Sequence, residues 1–116
     1  MRTPATAPLF AFVPPTEADK ALPAEGEPYA VLFEHGTLEL GWYAPEDVDD
    51  QQPHDRDELY FISRGRAHFW VEGEERREVY AGDALFVAAH RAHRFERMSH
   101  DFRTWVAFYG PKGGER

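Results

Sequence analysis

The chain has 116 residues, enough for one domain with a single core and a small pocket. Thirteen Lys and Arg against 21 Asp and Glu give a formal net charge of −8, which repels phosphate backbones and argues against nucleic acid as a partner. There is no cysteine, which excludes disulfides, thiolate nucleophiles and iron–sulfur clusters and leaves His, carboxylate or amide oxygen to hold any metal.

Residues 1–28 hold most of the nine prolines and read as an extension wrapping the domain. Within it, "PLFAFV" (Pro8–Val13) suggests a short edge strand, and "TEADKALPAEGEP" a loop with one helical turn. The apolar run is short and ends in Pro14–Pro15, so no signal peptide is expected. No run reaches the roughly 18 apolar residues needed to cross a membrane, and a cytoplasmic protein is the plain expectation.

From Tyr29 the pattern turns to β. "YAVLF" is followed by a turn at Gly36, and "TLELGWY" alternates. An acidic stretch, "APEDVDDQQP", follows. Then come "ELYFIS", "RAHFWV", "ERREVY", "ALFV", "HRFERM" and "FRTWVAFY", separated by Gly-, Asp- or Ser-containing turns. Short strands at 8–12-residue spacing, with no convincing helix, predict an all-β sandwich or barrel over residues 29–110. The tail 111–116, "PKGGER" after Gly110, is expected to fray. Exposed sheet edges and outer faces predict a homodimer.

The stretch "QQPHDRDELYFISRG" (Gln51–Gly65) crowds charge where a strand begins. Strand alternation places Glu58, Tyr60 and Ile62 on one side. His54 lies just before them, and His93 follows a later strand. If a barrel brings these segments together, two imidazoles and one carboxylate face one volume. That set suits one divalent ion among Fe, Mn, Ni, Co and Zn. If it does not, the stretch is a solvated turn. Asp57 and Asp83 read as turn-capping residues, and His35, His68, His90 and His100 as surface, interface or loop-tip residues. Arg56, Arg64, Arg66 and Arg94 either anchor an anion or balance nearby acids. Tyr60, Phe69, Phe86 and Phe95, with Ile62, have the parity expected of a pocket wall.

Two motifs give this pattern a family likeness. "QPHDRDELYFISRG" resembles the first motif of the cupin superfamily, a His-x-His pair with Glu four residues after the second His and Gly seven further on; His54, Glu58 and Gly65 occupy those positions. "GDALFVAAHRAHRFE" resembles the second, with Gly82, Asp83 and His93 in register. The resemblance implies a double-stranded β-helix, or jelly-roll barrel, carrying a metal on His54, Glu58 and His93. It also implies a small-molecule ligand or substrate; in an enzyme, Tyr60 on the inner face or a carboxylate of the pocket would handle protons. Three positions depart from the pattern. Gln52 stands at the first His, where its amide oxygen is a candidate fourth ligand. Ala88, Ala89 and His90 replace a Pro-x-Gly turn, and Arg97 replaces the closing Asn. The implied activity is dioxygenase- or isomerase-like, and the alternative is a non-catalytic module that binds or senses a small ligand.

Overall fold

A computed structural model describes residues 10–116. One helix, α1 (Pro15–Ala21), precedes eight strands: β1 (Tyr29–His35), β2 (Leu38–Tyr43), β3 (Asp57–Arg64), β4 (Arg66–Val71), β5 (Arg77–Tyr80), β6 (Ala84–Val87), β7 (His93–Glu96) and β8 (Arg103–Tyr109). Each strand corresponds to a segment that the sequence marks as β. The helix is longer than the single turn expected; Pro15 at its first position supplies a fixed helical φ. The expected edge strand at Pro8–Val13 lies partly outside the described residues. Its described part has no strand structure, and Phe10 and Phe12 are exposed.

The strands form two antiparallel sheets, one in the order β1-β2-β8-β3-β6 and one in the order β5-β4-β7. Tyr60, Ile62, Phe69, Val79, Val87, Phe95, Phe102 and Val106 fill the space between them. Burial along β8 alternates residue by residue, with Thr104, Val106 and Phe108 buried. Gly65 turns β3 into β4 at φ +77°, and a Cβ there would meet Ser99 Oγ at 2.4 Å and the Phe102 backbone at 2.9 Å. Any side chain at this motif glycine would therefore force the turn open.

Helix α1 lies on the outer face of the larger sheet, where Trp42 is fully buried against Trp105, ring centroids 4.6 Å apart. Asp19 of α1 anchors this packing. Its Oδ1 accepts from Trp42 Nε1 at 2.9 Å and Arg103 Nε at 3.1 Å, and its Oδ2 from Arg64 Nη2. Burial alone would raise the Asp19 pKa, but the bonds from Trp42, Arg64 and Arg103 outweigh it and hold the carboxyl below its usual range. At the other end, the tail expected to fray is tied down: Gly113 N donates to Asp55 O at 2.6 Å and Glu115 N to Asp57 Oδ2 at 2.9 Å.

Candidate metal centre

The alternation of β3 turns Glu58, Tyr60 and Ile62 inward, where each is buried. His93 opens β7 and is 4% exposed. His54 sits in an irregular segment, residues 44–56, leading into β3. Two backbone ties position that segment. His90 N donates to His54 O at 2.7 Å, and Ala89 N donates to Asp57 Oδ1 at 2.9 Å. Asp57 is thus the cap expected of it, and the backbone N–H groups of Glu115 and Ala89 hold its carboxyl low. His90 stands where the motif has Gly, at φ +69°, and keeps the left-handed turn without the glycine.

These ties bring one donor atom each from His54, Glu58 and His93 within 4.8 Å of one another. Glu58 Oε1 lies 2.7 Å from His93 Nε2, both side chains 1% exposed. His93 Nδ1 is 2.8 Å from Arg91 O, a carbonyl that can only accept, so Nδ1 carries a proton and Nε2 faces Glu58. Burial pulls the His93 pKa down, but the Glu58 carboxylate and the Arg91 carbonyl together raise it above 6.5. Among the described residues Glu58 Oε2 has no hydrogen-bond partner, although it is fully buried. Leaving such an oxygen unpaired costs about 1–3 kcal/mol, and more when it is charged.

Tyr60 OH completes the inner cluster, 3.1 Å from both His93 Nε2 and Gln51 Oε1. Burial, then the nearby Glu58 charge, push its pKa well above 10, so it keeps its proton and acts as a donor. Gln52, the expected fourth ligand, is not part of the cluster. It is exposed, and its Nε2 lies 3.5 Å from Asp50 O. Gln51 takes the inward place, with Oε1 3.1 Å from His54 Nε2. Asp49 dictates this choice. It is 5% exposed, receives Gln51 Nε2 and Phe95 N on Oδ2 at 2.6 and 2.8 Å, and receives Gln51 N and the Tyr43 hydroxyl on Oδ1. In sequence Asp49 is one acid in the run "DVDD"; only its lack of exposure sets it apart.

Above the cluster lies an open cavity of about 800 Å³, within the range of small-molecule sites. Its wall is Tyr29, Tyr43, Tyr60, Val106 and Phe108, with Arg56 at the rim. Phe108 packs edge-on against His54, centroids 4.8 Å apart. Three of the expected wall residues lie deeper. Ile62, Phe69 and Phe95 are core residues beneath the site, Phe95 packing edge-on to Tyr60 and Phe69 tilted against His93. Phe86 is on the opposite face and 56% exposed. The register explains this: Phe86 pairs with Leu59, whereas Leu85 and Val87 pair with the inward Tyr60 and Glu58. The true wall residues Val106 and Phe108 were visible in the alternation of "FRTWVAFY". Of the four arginines considered as anion anchors, Arg56 alone lines the cavity, held by Thr37 O at 2.8 Å and Glu39 at 3.6 Å. Arg64 is committed to Asp19, and Arg94 to Glu96 and the Trp70 ring.

The residues present fit a divalent cation. Two imidazole nitrogens and a carboxylate with an unpartnered oxygen converge at one buried point, with an open cavity beside them.

Comparison with known proteins agrees with this geometry. A family model described as a cupin domain matches residues 40–107, more than half of the chain. An uncharacterized protein of Streptomyces coelicolor is 36% identical over 98 residues, covering 83% of this chain and 90% of that protein. The crystal structure of DMSP lyase DddQ from Ruegeria pomeroyi DSS-3 superposes with a TM-score of 0.58 at 26% identity, over 64% of this chain; the match spans 39% of the lyase. KdgF from a Halomonas species has the same fold, with a TM-score of 0.62 at 20% identity over 72% of this chain and 80% of its own. Two motifs in register, a double-stranded β-helix and a family match across most of the barrel lead to one conclusion: the chain belongs to the cupin family.

Proposed function

We propose that the protein binds one divalent metal ion through His54, Glu58 and His93 and acts on a small molecule held in the adjoining cavity. The observation that carries this reading is Glu58 Oε2, a buried carboxylate oxygen without a partner in a cluster of two histidines. A bound ion would polarise a carbonyl or carboxylate, or activate water or oxygen. The protein's own groups do the rest. The Arg91 carbonyl fixes the His93 ring so that Nε2 faces inward. The Tyr60 hydroxyl, kept protonated by burial, offers a hydrogen bond to an oxygen at the cavity floor. Tyr29, Tyr43 and Phe108 restrict water around the bound molecule.

The reaction we infer is dioxygenase- or isomerase-like, on a small carbonyl compound or one able to chelate a metal. The likeness to a DMSP lyase supports a small-molecule substrate. No helix among the described residues is long and apolar enough to cross a membrane. Phe61 and Phe86 lie on the outer face of the larger sheet, 45% and 56% exposed, and support a second copy of the chain as partner. Light scattering at micromolar concentration tests the dimer, and a monomer would contradict it.

Elemental analysis of tag-free protein, reconstituted with Fe(II), Mn(II), Ni(II), Co(II) or Zn(II), tests the metal. One ion per chain is expected, falling to a trace in Glu58→Ala and His54→Ala. Oxygen uptake and product analysis on keto-acids, diketones, phenolics and DMSP then separate an enzyme from a binding module. Ligand binding without turnover across the panel would favour the module.

A further inference from the structure

We propose that Gln51, oriented by Asp49, is itself a ligand at this centre, its side-chain oxygen joining His54, Glu58 and His93. This rests on the metal reading above and adds a residue to it. The motif points to Gln52, but that residue is exposed at the cavity, its Nε2 3.5 Å from Asp50 O, and joins none of the cluster's hydrogen bonds.

The amide of Gln51 has one allowed orientation. Its Nε2 lies 2.6 Å from Asp49 Oδ2, and a carboxylate accepts but does not donate, so the nitrogen must face Asp49. The oxygen therefore faces the cluster. It sits 3.1 Å from His54 Nε2 and 3.1 Å from Tyr60 OH. Neighbouring ligands on one octahedral ion, with bonds near 2.1 Å, lie about 3 Å apart. The Gln51 Oε1–His54 Nε2 and Glu58 Oε1–His93 Nε2 separations, 3.1 and 2.7 Å, both match that spacing. Gln51 Oε1 has two lone pairs. One accepts from Tyr60, which keeps its proton. The other, which His54 Nε2–H occupies in the metal-free state, is free to bind an ion once His54 shifts its proton to Nδ1.

Asp49 is built for this positioning. Its four hydrogen bonds tie it to Phe95 in the core, to Tyr43 on the cavity wall and twice to Gln51. A neutral, hard oxygen here in place of an imidazole lowers affinity for late, softer metals and favours Fe(II) or Mn(II).

The test substitutes histidine at each of the two glutamines and reads nitrogen ligation directly. Wild type, Gln51→His and Gln52→His are loaded with Cu(II) and examined by electron paramagnetic resonance. The proposal expects the superhyperfine pattern of two nitrogens in the wild type and in Gln52→His, and of three in Gln51→His. It also expects Gln51→Ala to weaken Co(II) binding by roughly 10- to 100-fold while Gln52→Ala leaves it unchanged. A third nitrogen in Gln52→His but not in Gln51→His would overturn it, as would Gln51→Ala binding Co(II) like wild type. Wild type binding no metal at all would overturn the underlying reading instead.

Discussion

Two carboxylates, Asp19 and Glu58, sit on opposite faces of the same five-stranded sheet and have opposite states of satisfaction. On the outer face, both oxygens of Asp19 are taken, by Trp42, Arg103 and Arg64. On the inner face, Glu58 gives one oxygen to His93 and leaves the other with no partner among the described residues, although it is the more deeply buried residue. A fully bonded acid holds structure together: Asp19 clamps α1 over Trp42. An acid left short of a cation in a buried site costs stability until something fills it. The contrast separates anchor from site without reference to any relative.

The contrast can be broken first at Glu58. Glu58→Gln keeps the shape and removes the charge, so it should abolish metal-induced stabilisation. For the wild type that stabilisation is about 2.7 kcal/mol at a metal concentration 100 times Kd. Thermal unfolding with and without metal reads the difference. The matching change on the outer face, Asp19→Ala, should do the reverse. It should destabilise the protein by about 1–3 kcal/mol through its lost charged hydrogen bonds, discounted for partial exposure, and leave metal affinity within about twofold. Urea unfolding and calorimetric metal titration would show both.

A smaller effect is expected at Gly41. A Cβ there would overlap the Tyr29 hydroxyl and the ring edge that carries it, so Gly41→Ala must push Tyr29 off the cavity wall. The expected costs are about 1–3 kcal/mol of stability and weaker ligand binding, with metal affinity unchanged. The smallest effect is at His90. His90→Gly relieves a left-handed residue and should stabilise the loop by up to about 1 kcal/mol, seen as a small rise in Tm.

The outer anchor also makes a pH prediction. The folded pKa of Asp19 is below its ordinary 3.8, so its contribution is present above that value and is lost as pH falls through the folded pKa. The stability gap between wild type and Asp19→Asn, followed by urea unfolding between roughly pH 2 and 6, should close at the acid end.

Much of this was legible in the sequence, for definite reasons. The eight strands showed because short apolar runs alternate with turn residues. Strand parity turned Glu58 inward, and only the likeness to the two cupin motifs joined His54 and His93 to it, since His54 lies in no strand. What escaped lies where no period operates. Residues 44–56 have no regular repeat, so nothing in "DVDDQQP" tells which glutamine faces inward; four bonds to Asp49 decide it. Phe86 was misplaced because a four-residue strand next to a turn gives too few alternations to set its parity. Helix α1 is only seven residues long and starts at Pro15, too short for a hydrophobic repeat to show. The tail's docking depends on Asp55 and Asp57, far away in sequence.

The most direct measurement is isothermal titration of metal-free, tag-free protein with Co(II), comparing wild type, Asp19→Ala and Glu58→Gln. The account predicts one site per chain in the wild type and in Asp19→Ala, and affinity in Glu58→Gln reduced at least roughly 100-fold. Equal binding by wild type and Glu58→Gln would contradict it, because the unpaired oxygen of Glu58 would then not be what the metal seeks.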